Sequence, residues 1–148
     1  MARPERFSNP SEQDLGHLAK MEEWVAGHYP ENSRHAYDDW GAKLKVIQVI
    51  LDNGWIEDSD PACTWKRQAL GAALGSALVQ YYDGLAWTVV DDEYGRGLCL
   101  VWGETSAQLN PLTMISKRLE RGEAVSVHDL MVQSCETLDD LRNKPGFV

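Results

Sequence analysis

"LAWTVVDDEYGRGLCLVW", residues 85–102, is where the sequence changes period. Before Gly84 apolar residues recur at helical spacing. Here Trp, Val, Leu and Thr fall into two short runs, "AWTVVD" and "GLCLVW", divided by the polar "DEYGR". Two such runs around a glycine-bearing turn predict a β-hairpin, since β-branched and aromatic residues suit a half-buried pleated surface and Asp and Gly suit the turn. "GETS" is a further turn and "AQLNPL" a third strand that ends before Pro111, so residues 85–110 read as an antiparallel meander.

Toward the N-terminus, "DSDPACTWKRQALGAALGSALVQYYDG" reads as a buried helix, with Asp60 as cap, Pro61 at its start and Gly84 as its stop. Gly71 and Gly75 in its middle each cost about 1 kcal/mol against alanine, so they predict a close approach by another backbone. A phosphate loop would need Lys-Ser/Thr or G-x-G-x-x-G after a strand, and neither pattern occurs. A preceding helix is predicted from Ser33 to Asn53 on the stripe Trp40, Leu44, Ile47 and Leu51, closed by Asn53-Gly54 and a clasp of Trp55 and Ile56. The first helix is predicted over Ser11–His28, with Asn9 as cap and Pro10 at its first position. Residues 1–10 read as a loose arm.

Toward the C-terminus, "TMISKRLERGE" returns to helical spacing, with Thr113 as cap, Ile115 and Leu119 inward and Gly122 as stop. Ser126 and Asp129 open a last helix as in a capping box. The expected fold is α+β: N-terminal helices packed on a small antiparallel β-meander, followed by C-terminal helices. One domain is expected over residues 1–148, mainly helical at 11–82, a meander at 85–110 and helical again at 111–142, as suits 148 residues.

The formal charge is −9, from 23 acids against 14 bases, which disfavours nucleic acid because such binding relies on basic groups displacing counterions. An acidic surface steers basic partners instead. Three widely spaced cysteines without a C-x-x-C suggest a reducing compartment. No secretory signal and no apolar run of about 20 residues is present, so a cytoplasmic protein without a membrane segment is expected. His17, His28, His35 and His128 form no i,i+4 pair and read as solvated residues; no metal and no cofactor is expected. Ser76 lies within helix rather than on a nucleophile elbow, and nothing in sequence brings Cys63 to His35.

Two charge clusters remain. Asp91, Asp92 and Glu93, with Tyr94 and Arg96, crowd the hairpin turn; Asp91 and Glu93 can share a strand face, where two carboxylates can bind a cation or work as acid and base. The simpler reading gives the acids turn geometry, Tyr94 a covering role and Arg96 an acidic partner. Lys117, Arg118 and Arg121 lie on one face of the next helix, near its C-terminus where cations are favourable.

"LGAALGSAL", "LAWTVVDDEYGRGLCLVW" and "NPLTMISKRLERGEAVSVHDL" together resemble the bacterial domain of unknown function 3806 family, over about residues 70–131. The resemblance implies no activity. It points to Trp87, Asp92, Glu93, Gly95, Arg96, Pro111, Thr113, Lys117 and Arg118 as the positions that matter in that fold. The acids beside Arg96 and the basic helix can then meet as an internal salt-bridge network. Two functions stay open: an acidic protein-binding module, expected to be an immunity protein that neutralises a basic toxin or effector, with anchors among its six tryptophans and its tyrosines; or an enzyme or small-ligand binder using Asp91, Asp92, Glu93, Arg96 and Lys117.

Overall fold

A computed structural model of the chain describes residues 6–93, 95–103 and 107–143. Its elements run β1 (Arg6–Ser8), α1 (Glu12–Ala26), a 3-10 helix (Glu31–Asp38), α2 (Trp40–Asp52), α3 (Cys63–Tyr81), β2 (Leu85–Asp92), β3 (Gly95–Trp102), β4 (Gln108–Leu109), α4 (Pro111–Glu120) and α5 (Val127–Arg142). The fold is α+β, with helices on both sides in sequence of an antiparallel sheet ordered β1-β2-β3-β4. The expected meander is β2-β3-β4. Its fourth strand comes from the segment read as a loose arm, because Arg6, Phe7 and Ser8 pair with Asp91, Val90 and Val89.

Helix α3 is the axis of the molecule. Leu70, Ala73, Leu74, Ala77 and Leu78 are fully buried, and a helix that is apolar on every side must be enclosed. Helices α1, α2 and α4 pack around it. Its glycines are where neighbours come closest. A Cβ on Gly71 would lie 2.3 Å from the Pro111 carbonyl oxygen, and one on Gly75 would lie 2.4 Å from the Trp87 ring. The expected close approach is therefore made by the start of α4 and by a strand tryptophan.

Four helix starts differ from the expected positions. Ser11, not Asn9, caps α1, in a reciprocal box with Asp14. Asp39 accepts from the Ala42 N–H at 3.1 Å and starts α2 there, so the stretch from Glu31 folds as a separate 3-10 helix. Helix α3 begins at Cys63, with Asp60 accepting from the Ala62 N–H at 2.8 Å just outside it. Asn110 and Pro111 start α4, while the Thr113 hydroxyl donates back to the Asn110 carbonyl. The Asn53-Gly54 stop forms as expected, with Gly54 at φ +61° and the Trp55 N–H donating to the Ile50 carbonyl. Ser126 caps α5 by accepting from the Asp129 N–H.

Alternation sorts the sheet into two faces. Leu85, Trp87, Leu98, Leu100 and Leu109 join the helical core. Val90, Cys99 and Val101 form a small cluster on the other face, beside the exposed Phe7. No helix among the described residues is long and apolar enough to cross a membrane.

Candidate functional site

The hairpin register sets Asp91 opposite Arg96 and Asp92 opposite Gly95. Since successive side chains point to opposite faces, Asp91 and Arg96 lie on the helix side and Asp92 on the other. Glu93 falls in the turn and is exposed, so it does not continue the strand beside Asp91. Tyr94 lies outside the described residues.

Arg96 does not reach the basic helix. Its guanidinium grips Asp14 of α1 with both prongs, Nη2 to Oδ2 at 2.7 Å and Nη1 to Oδ1 at 3.1 Å. The same carboxylate accepts from the Ser11 N–H at 2.8 Å. These hydrogen bonds, Arg96 first, hold Asp14 far below the usual carboxylate range, and Asp14 in turn raises Arg96. One carboxylate thus caps α1 and ties it to the end of the hairpin. A two-pronged pair fixes direction as well as distance, so its chemical work is to orient α1.

On α4, Lys117 is exposed, Arg118 is half-buried and donates to the Met114 carbonyl at 3.0 Å, and Arg121 lies 3.6 Å from Glu123 at the surface. Among the described residues, Arg96–Asp14 ties the hairpin to α1 and Arg121–Glu123 ties the end of α4 to its own following loop. Asp92, Gly95, Arg96 and Gly97 also line an open depression of about 310 Å³ along the edge of β3. Among the described residues no cluster of His, Cys, Asp and Glu has metal-binding geometry.

Two arrangements have no place in the sequence reading. His28, expected to be solvated, is held between tryptophans. Its Nδ1 donates to the Trp24 carbonyl at 2.9 Å, its ring meets Trp24 edge-on at 4.7 Å and stacks on Trp55 at 5.7 Å. Trp65 meets the far side of Trp24 at 6.2 Å, and Lys66, paired with Asp60, lies 5.9 Å over the Trp24 ring. The i,i+4 spacing of Trp24 and His28 was the available signal. The second is Lys43, only 4% exposed, whose ammonium donates to the Tyr37 carbonyl at 2.9 Å and sits 4.5 Å over the Tyr37 ring. Tyr37 donates to Glu22 at 2.9 Å, and burial followed by the Glu22 charge pushes its phenol well above the ordinary range. Lys43 stands one turn before Ile47 on the inward stripe, which marked it as a buried lysine.

Comparison with known proteins adds the family. Residues 43–130, well over half of the chain, match the family described as Domain of unknown function (DUF3806). The chain belongs to the DUF3806 family. The match begins well before residue 70, taking in α2 as well as the stretch that carries the resemblance. No curated protein matches the chain. The chain is also similar in fold to a crystal structure from Bacteroides thetaiotaomicron VPI-5482, with a TM-score of 0.72 and 14% sequence identity, covering 93% of this chain and 49% of that one. The chain thus spans about half the length of that structural relative, and at this identity the likeness is one of fold alone.

Much of what made the DUF3806 stretch recognisable is packing. Gly75, Trp87 and Pro111 meet at one point in the core, Gly71 lies against Pro111 and Leu112, Gly95 takes φ +116° at the turn, and Arg96 orients α1.

Proposed function

We propose that this DUF3806 protein is an acidic cytoplasmic protein-binding module, and specifically an immunity protein that neutralises a cognate basic toxin by direct contact. The observation that carries this reading is Trp55. It is 50% exposed on a protein of net charge −9, and it stacks on His28, which Trp24 supports edge-on. A tryptophan whose rotamer is already supported loses little entropy on binding, and such residues commonly dominate interfaces. The acidic surface speeds encounter with a basic partner. The enzyme reading needs Asp91, Asp92, Glu93, Arg96 and Lys117 to converge. The pleat divides the first two, Arg96 is engaged by Asp14, and only Asp92 and Arg96 share the open depression along β3.

The test is co-expression with the toxin-like product of a neighbouring gene. Protection of the cells and a co-purifying complex that Trp55→Ala weakens are the expected results. Survival no better than without this protein would sink the immunity reading.

A further inference from the structure

A groove of about 180 Å³ lies between the start of α2, the end of α3 and the outward face of α5, lined by Trp40, Tyr81, His128, Met131, Val132, Cys135 and the acids Glu136 and Asp139. It is separate from the Trp55 stack and from the hairpin. The Trp40 and Tyr81 rings stand 4.9 Å apart and tilted by 59°, forming one wall. Tyr81 is 54% exposed and Val132 39%, while Met131 is buried beneath them. Large apolar groups left in water around a depression mark a contact surface, because folding alone would favour covering them. Two exposed carboxylates stand on the α5 rim, and the Tyr82 hydroxyl donates to Asp139 at 2.8 Å, holding that acid in place. The volume suits one large side chain rather than a whole helix face.

We propose that this groove receives an aromatic or large aliphatic side chain of a partner protein, flanked in that partner by Lys or Arg. The apolar group packs against Trp40, Tyr81 and Met131, and the flanking cation meets Glu136 and Asp139. Tryptophan and tyrosine walls serve both parts, since their faces attract cations as well as apolar surface. Glu136 and Asp139 disfavour an acidic segment of equal apolarity. This assignment rests on the protein-binding reading and gives it a second, chemically defined contact.

The test uses two synthetic probes, acetyl-Lys-Trp-Lys-amide and acetyl-Glu-Trp-Glu-amide, titrated into the full chain and followed by amide NMR. The expected result is that the basic peptide shifts signals of Val132 to Asp139 and of the Trp40 indole, binding at least about tenfold more tightly than the acidic one. It also slows alkylation of Cys135. Glu136→Lys, an exposed change that leaves the core untouched, should reverse the preference. Absence of localised shifts with the basic peptide, or equal binding of both, overturns the proposal. Shifts confined to Trp24 and Trp55 overturn the groove while leaving a protein-binding role standing. Success here with no protection from any toxin removes the immunity reading alone.

Discussion

Two glycines lie inside helices in opposite surroundings, so one substitution has opposite consequences. Gly16 is an exposed position of α1 where an added methyl would meet nothing within 4 Å, whereas a methyl on Gly71 would meet the Pro111 carbonyl oxygen at 2.3 Å and the Leu112 Cα at 2.6 Å. Alanine should raise intrinsic helix stability by about 1 kcal/mol at either site. At Gly16 that gain stands alone, so Gly16→Ala is expected to stabilise by roughly 0.5–1 kcal/mol. At Gly71 the obstructing atoms are main chain, and restoring ordinary contact requires α4 to move by about 1 Å along the whole α3 interface. Overpacking of that kind costs about 1–3 kcal/mol and occasionally more, because displacement opens voids elsewhere. The upper part of that range applies, which leaves Gly71→Ala less stable by about 2 kcal/mol after the helical gain. For a chain of this size that lowers the melting temperature by roughly 4–8 °C. Urea unfolding followed by circular dichroism and by tryptophan fluorescence measures both variants, with an unchanged denaturant slope as the check on two-state behaviour. Gly71→Ala as stable as the parent would refute the close packing of α4 on α3. Equal losses at both sites would refute the attribution to contact.

Arg96→Gln should bring the Asp14 titration, read by carboxyl NMR, back up toward its usual value near 4; an unmoved Asp14 would mean that the pair is absent in solution. Because the folded-state pKa of Asp14 is depressed, its contribution is present above the ordinary aspartate range and disappears as pH falls through the folded value. Tyr37 behaves in the opposite sense: its raised folded pKa gives stability that is intact below about pH 10 and lost as pH rises further. Urea midpoints at pH 9 and 11 should therefore differ less for Tyr37→Phe than for the parent, the remaining slope coming from Tyr29 and Tyr82, which are also raised. Under native conditions iodoacetamide should modify Cys135 first and slowly, since burial and then Asp139 keep its thiol protonated. Cys63 and Cys99 are buried and should react only on unfolding; early modification of either would contradict the packing around it.

The sequence was most informative where a signal and its cause lie within a few residues. The hairpin was legible because its two strands adjoin in sequence, with Asp92 paired to Gly95, and the α2 stop because Asn53 and Gly54 act on their own helix. Helix starts were misplaced where neighbouring residues offer competing starts: Asn9 and Ser11 before α1, and Asn110 and Thr113 before α4, where Pro111 rather than a side-chain acceptor marks the first turn. Before α1 it is Ser11 and Asp14 that close the box, although Glu12 also stands three residues after Asn9. Strand β1 was not legible, since three residues of "RFS" have no strand character apart from a partner more than 80 positions away. The same separation hid the Arg96–Asp14 pair. That Arg96 wanted an acid was readable; which acid depended on where α1 is laid.

The placement of β1 also bears on how the protein is made. Ser8 pairs with Val89, so the ribosome must add the intervening helices before the partner strand exists. At about 5–20 residues per second, Arg6–Ser8 waits on the order of 4–16 seconds with its main-chain groups unpaired. During that interval α1, α2 and α3 can assemble around their shared apolar surface, but the sheet cannot be finished. Strand β1 thus waits longer for its partner than β2, β3 or β4 does, and it closes an edge that would otherwise leave β2 open to strands of other nascent chains.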